Sequence, residues 1–229
     1  MGPGLAFEER DGFPVWRATR AAVAVRFAGR GPRLERGETL RAIGGPDIPV
    51  AWAKQVHGAA LLAARPGSCG EGDALCTAEP GLALAIATAD CVPVLLSGPA
   101  GIAAVHAGWR GLVAGVLAGA MAALGDPAAI QAWIGPAIGL CCYEVGADVA
   151  DAVVAATAPE VANALGGDKA HLDLAAAARC QLERAGVRSV ELLVSCTRCD
   201  PRLWSYRRDG KGAGRNLAFI CRSAPEIRS

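Results

Sequence analysis

Residues 82–107 read LALAIATADCVPVLLSGPAGIAAVHA, a series of strand-length apolar runs separated only by short breaks, and no other stretch limits the possible folds as strongly. Residues 92–109 carry no formal charge and approach the length of a membrane-spanning segment. SGPAG in the middle is a turn signal, so the stretch divides into two strands of a buried sheet. Buried strands rarely carry polar groups that lack a partner or a use, yet Asp90, Cys91 and His106 interrupt these runs. The fold and the function both turn on what those three residues are for.

Apolar alternation predicts further strands over residues 13–17, 22–27, 50–56, 130–134, 189–194 and 216–221, beside those over 82–88, 92–96 and 101–106. Helices are expected over 112–124, 147–156 and 172–185, the last closed by Gly186. A polar, Gly-rich and Arg-rich connection running to about residue 49 has no firm pattern. Strands that come in adjacent runs, as well as alternating with helices, indicate an α/β (α+β) architecture with mixed sheets and helices outside, not a doubly wound fold. No repeat, low-complexity tail or long linker divides the chain, so one domain over residues 1–229 is expected, large enough to bury roughly 70% of its unfolded surface.

A net charge of +1, with no block of like charges beyond SYRRDGK, gives no electrostatic footprint for nucleic acid. MGPGLAFEERDGFPVWR lacks the apolar core of a secretion signal and the Ser or Thr of a myristoylation site, so a cytoplasmic protein without a membrane partner is expected. Nine cysteines, an odd number without a secretion signal, point to reduced thiols or metal ligands rather than a disulfide framework.

Of three histidines, His57 and His106 lie at the ends of predicted strands near glycine, and with Cys91 they would offer two nitrogens and one thiolate. Three protein ligands with an open fourth position is the pattern of catalytic zinc. Two other readings use the same residues: Cys91 as a nucleophile with His106 as its base, or a buried thiol beside two hydrogen-bonded core histidines. Gly108-Trp109-Arg110-Gly111 at a predicted helix start suits phosphate or carboxylate, although Arg110 as a solvated first-turn residue and Trp109 as core packing fit equally. Cys196-Thr197-Arg198-Cys199 has CxxC spacing, but with no second CxxC to complete a structural site it is expected to be two buried or incidental thiols. Adjacent Cys141 and Cys142 are expected to diverge, one lining a site and one facing elsewhere. SYRRDGKGAGR is expected to be either a mobile anion-binding loop or a plain exposed one.

Taken together and in order, KQVHG, GDAL, TADCVPVLL, AAVHAGWRG, IGPAIGLCCYEVG and SYRRDGKGAGR resemble the bacterial purine nucleoside phosphorylase family that includes the laccase-domain proteins. The peptidoglycan editing factor belongs to the same group. The resemblance implies a layered α/β/β/α domain and a zinc ion on His57, Cys91 and His106. It implies phosphorolysis of adenosine, guanosine or S-methyl-5′-thioadenosine, with adenosine deamination. Under it, Cys91, His106, Asp90 and Arg110 take catalytic roles, with Asp90 or Asp73 shuttling protons. Gln55, Asp73, Cys142, Tyr143, Arg207 and Arg215 face substrate. The partners are then a purine nucleoside and phosphate, on a monomer or weak homodimer. Toward the amino terminus VRFAGRGPRLERGETL departs from the family pattern, which leaves substrate range open.

The laccase name suggests a copper oxidase, but a multicopper cluster needs many imidazoles and the chain has three histidines. Cu²⁺ outcompetes Zn²⁺ at most nitrogen and sulfur ligands, so copper in a preparation is no proof of oxidase function. The main alternative is an amide hydrolase acting on a cell-wall precursor through the zinc or Cys91. A third reading is a non-catalytic protein whose zinc only holds the fold, which phosphate-dependent turnover of adenosine by a purified sample would exclude.

Overall fold

The computed structural model describes residues 4–223. Along the chain come β1 (Ala6–Arg10), β2 (Phe13–Arg20), β3 (Val23–Ala28), α1 (Arg36–Ala42), β4 (Val50–Lys54), β5 (Leu61–Ala63), β6 (Gly67–Glu71) and β7 (Ala74–Thr77). The middle contains β8 (Ala83–Thr88), β9 (Val92–Gly98), β10 (Gly101–Ala107), α2 (Trp109–Val113), α3 (Val116–Leu124), β11 (Gln131–Ile134), β12 (Glu144–Gly146) and α4 (Ala147–Ala156). The last third adds β13 (Ala162–Gly166), β14 (Lys169–Leu172), α5 (Leu174–Arg184), β15 (Ser189–Leu192), α6 (Tyr206–Asp209) and β16 (Asn216–Arg222).

Two mixed sheets stack face to face, one ordered β1-β2-β3-β16-β8-β4-β6 and the other β15-β11-β9-β10-β7-β5, with a small β12-β14-β13 sheet to one side. Burial alternates with the pleat. Leu84 and Ile86 face the layer between the sheets, with Leu95, Ile102 and Trp133 from the other side, whereas Ala83 and Ala85 face outward against Leu40 and Ile43 around α1. Val94, Leu96, Ala103 and Val105 point the opposite way, onto Leu112, Val116, Leu117 and Leu182 of the helices. The order is therefore helix, sheet, sheet, helix, the α/β/β/α arrangement that the resemblance implies. The apolar runs are continuous because β8, β9 and β10 are covered on both faces.

The structure corrects several expectations. The helix anticipated over residues 112–124 is two, because Gly115 takes a left-handed φ of 82° and ends α2 before α3 begins. The segment without pattern contains α1, opened by a capping box in which the Glu35 N–H donates to Glu38 Oε2 at 3.0 Å. SYRRDG folds into α6 rather than an open loop, its cap Ser205 accepting from the Arg208 N–H. Among the described residues no helix is long and apolar enough to cross a membrane.

Candidate active site

The site lies where strands of both sheets end and the chain passes from one sheet to the other between β8 and β9. Its foundation is Asp73, fully buried just before β7. The carboxylate accepts the backbone N–H groups of Val56 (3.2 Å), His57 (2.9 Å) and Gly58 (2.7 Å), and its Oδ1 lies 2.7 Å from His106 Nδ1 on β10. Those three N–H groups converge because His57 adopts a left-handed φ of 60°, a costly conformation for a residue with a Cβ. With Nδ1 turned to Asp73, His106 has its Nε2 left for a ligand.

Cys91 is placed by a second strained residue, Asp90, with φ 98°. Asp90 Oδ1 accepts the Thr197 hydroxyl at 2.6 Å, Oδ2 accepts the Arg207 N–H at 2.7 Å, and its carbonyl accepts the Ile138 N–H at 2.9 Å. The chain is thereby fixed on both sides of the thiol. The His57 and His106 rings meet edge to face at 4.8 Å, and the donor atoms of His57, Cys91 and His106 all lie within 4.8 Å of one another. A Cβ at Gly108 would fall 3.3 Å from both Cys91 Sγ and His57 Cδ2, so glycine there keeps the cluster open.

Electrostatics couple the three groups. Burial raises the Cys91 thiol, but hydrogen bonds and charge from His106 and His57 outweigh it and bring the pKa down to about 7. Burial alone would depress His106; its bonds to Asp73 and Cys91 instead lift it to about 9. Burial also opposes ionisation of Asp73, yet His106 and the Gly58 and His57 N–H groups hold its carboxyl below the ordinary value. Two imidazoles, one easily formed thiolate and a carboxylate behind one imidazole make a donor set that fits zinc.

Above this set opens a cavity of about 740 Å³, within the usual size of a small-molecule site. Five cationic side chains line it, Arg36, Lys54, Arg110, Arg207 and Arg215, and the rings of Trp109, Tyr143 and Tyr206 add apolar faces. Asp90 is the one carboxylate on its described wall, and both of its oxygens are engaged. The Arg110 guanidinium stacks 4.4 Å over Trp109, and that of Arg207 lies 5.3 Å over Tyr143. Burial, with Cys91 nearby, pushes the Tyr143 phenol up and keeps it a hydrogen-bond donor.

Of the residues anticipated from sequence, His57, Cys91 and His106 come together, and Asp90, Arg110, Gln55, Tyr143, Arg207 and Arg215 line the same cavity. Gln55 also has a structural role, since its side-chain amide donates to the Ala87 carbonyl at 2.7 Å and accepts the Ala87 N–H at 2.9 Å, as a neighbouring strand would. Asp73 lies beneath the cluster rather than on the wall. Cys142 is not on the wall either; it joins Cys141, Cys196 and Cys199 in a separate four-thiol group. The CxxC pair is therefore neither fully buried nor isolated, and the adjacent cysteines converge instead of diverging. Arg36, Lys54 and Tyr206 escaped the sequence reading. Arg36 starts a helix that showed no pattern, and the other two only reach the cavity once β4 and α6 are folded against it.

The family model described as multi-copper polyphenol oxidoreductase laccase matches residues 34–223. The chain belongs to this family. Relatives of the laccase-family chain include a Streptomyces coelicolor protein named purine nucleoside phosphorylase SCO2081, 45% identical over 190 residues, covering 79% of this chain and 78% of that one. A protein of Escherichia coli (strain K12) named purine nucleoside phosphorylase YfiH is 42% identical over 182 residues, covering 76% and 74% respectively. Among solved structures, Neisseria meningitidis protein NMB0706 superposes with a TM-score of 0.79 at 30% identity over 97% of this chain and 100% of that chain. YlmD from Geobacillus stearothermophilus superposes with a TM-score of 0.82 at 29% identity, again over 97% and 100%.

Proposed function

We propose that the chain is a purine nucleoside phosphorylase that cleaves adenosine, guanosine and S-methyl-5′-thioadenosine with inorganic phosphate, and that the same cavity deaminates adenosine. One observation carries the reading: five cations and three aromatic rings surround His57, Cys91 and His106, while the wall's carboxylate is already fully hydrogen-bonded. Such a lining favours an anion beside a flat heterocycle. The names of the relatives support the same reaction class.

In this reading Arg110, with Arg207 and Arg215, binds phosphate, and Trp109 and Tyr143 flank the purine. A phosphate oxygen forms a bond to the ribose C1′ as the N-glycosidic bond breaks, and the bonding pair leaves with the purine. The departing purine takes up a proton from solvent, and the free base and the sugar 1-phosphate result, ribose 1-phosphate in the case of adenosine and guanosine. The ribose carbon is oxocarbenium-like at the barrier, so catalysis rests on holding the anion against C1′ and stabilising the departing base. Tyr143, kept protonated, supplies a hydrogen bond to that base. Asp73 and Asp90 act as positioning residues rather than proton carriers, the first through His106 and the second through Cys91. Zinc held by His57, Cys91 and His106 would supply Lewis acidity at its open coordination position. Deamination exchanges the amino group at purine C6 for a water oxygen, releasing ammonia. A cytoplasmic setting keeps the free thiols reduced.

Two variants test the assignment. Arg110→Ala is expected to raise the KM for phosphate by ~10-fold or more, the worth of a charge-assisted hydrogen bond, with metal content unchanged. Cys91→Ala is expected to lose turnover together with the zinc of the His57–Cys91–His106 set. An unchanged phosphate KM would contradict the anion site, and an unchanged zinc content in an inactive Cys91→Ala protein would favour Cys91 as a nucleophile.

A further inference from the structure

Away from the cavity floor, Cys141, Cys142, Cys196 and Cys199 bring four sulfurs within 4.8 Å of one another. Cys199 Sγ lies 3.4 Å from Cys142 Sγ and 3.8 Å from Cys141 Sγ. A tetrahedral ion with metal–sulfur bonds of ~2.3 Å has a sulfur–sulfur edge of about 3.8 Å, so these spacings suit one mononuclear ion. We propose that the four cysteines hold a structural zinc ion that clips together two turns behind the cavity, one ending in Tyr143 of its wall and the other bonded to Asp90, a site independent of the reaction assigned to that cavity.

The backbone is arranged for it. The N–H groups of Cys142 and Tyr143 both donate to the Gly139 carbonyl, at 2.9 and 3.1 Å, and curl residues 139–143 into a helical turn. Successive side chains in such a turn diverge by about 100° rather than pointing to opposite faces, so two adjacent thiols aim at one centre. The second turn is the CxxC knuckle, where the N–H groups of Cys199 and Asp200 donate to the Cys196 carbonyl at 3.1 and 2.9 Å. The Gly139 N–H points at Cys196 Sγ at 3.3 Å, crossing from one turn to the other. A bridge between Ala137 and Cys196, with the Thr197 N–H on the Ala137 carbonyl at 3.0 Å, fixes their register.

Four soft thiolates in tetrahedral array select zinc over harder ions. The thiols release their protons to solvent as the dication binds, leaving a net charge of −2 at the centre. Arg208 sits within the knuckle and braces it, its guanidinium bonded to the carbonyls of Thr197, Arg198 and Asp200 at 2.9, 3.1 and 3.2 Å. The consequence for the cavity is direct. Tyr143, next to Cys142, lines the wall, and Thr197, between the two CxxC ligands, donates to Asp90 beside Cys91.

Metal counting on the full chain, purified under reductant without chelator, is expected to give two zinc ions per chain, falling to one in Cys196→Ser/Cys199→Ser and to one in Cys91→Ala. Cobalt(II) added to the reduced, metal-free wild-type chain reads the site without relying on any variant. One equivalent is expected to develop intense sulfur-to-cobalt charge transfer and the visible bands of a tetrahedral four-sulfur site, and Cys91→Ala is expected to retain them. A reduced wild-type chain that binds only one ion, or a second cobalt ion without a four-sulfur spectrum, would overturn the proposal.

Discussion

At the residue scale, Asp73 decides whether the metal-ligating set exists. It touches both imidazole-bearing segments from beneath, neutralising the His106 side and closing the left-handed turn at His57. A partner behind a ligating histidine fixes ring orientation and raises ligand basicity, and its loss typically costs 10–100-fold in affinity. Asp73→Asn retains the shape but exchanges acceptor capacity for an amide. Its zinc affinity, measured by chelator competition, should fall by about that ~10–100-fold factor. Unchanged affinity would mean that Asp73 only folds the turn. His57, Cys91 and His106 were legible because a polar residue at the end of an apolar strand needs a reason. Asp73 was anticipated only through the resemblance that GDAL helps carry, as a substrate contact or proton carrier, because its bonds are to groups brought from two other segments. The partners of Asp90 were hidden for a similar reason: the Thr197 hydroxyl and the Arg207 N–H on its oxygens come from segments far along the chain.

At the scale of elements, the long apolar strands and the isolated helices were readable from pattern alone. The helix over Ala147–Ala156 has its anticipated bounds, and β8, β9 and β10 lie where the alternation put them. The pattern failed where tertiary demands govern. An Ala-rich stretch with good helix propensity is nonetheless broken at Gly115, because Gly115 takes the left-handed conformation that stops one short helix and starts another. Open space surrounds that position, the nearest approach to an added Cβ being 4.0 Å from Ala118. Gly115→Ala therefore tests backbone strain without a clash, and denaturant titration should show a loss of ~1–2 kcal/mol. A neutral result would mean that the break is not held by the glycine. The four-thiol group shows the converse: CC and CxxC stand far apart in sequence, and only the bridge between Ala137 and Cys196 reveals them as one cluster.

On the scale of the whole molecule, two sheets share a core between them and helices cover both outer faces, so no layer is buried without its neighbour. Trp133 lies fully buried in the shared layer. Trp133→Ala should cost ~3–5 kcal/mol, and thermal unfolding should remain a single cooperative transition with a lower midpoint. Two separated transitions would show that the layers unfold as independent units. The same layering explains the position of the cavity. It opens where strands from both sheets end, which allows β4, β8 and β10 to deliver one donor each to a common point while the cations of α1, α2 and α6 surround the opening. The claim that joins these scales is that the donor set and the cations serve one phosphate-dependent cleavage. Product analysis of the zinc-loaded chain, with adenosine and separately with a cell-wall nucleotide precursor, each with and without phosphate, tests it most directly. Adenine and ribose 1-phosphate in equal amounts, formed only when phosphate is present, is the predicted result. Cleavage of the precursor amide without phosphate, together with no turnover of any purine nucleoside, would contradict it.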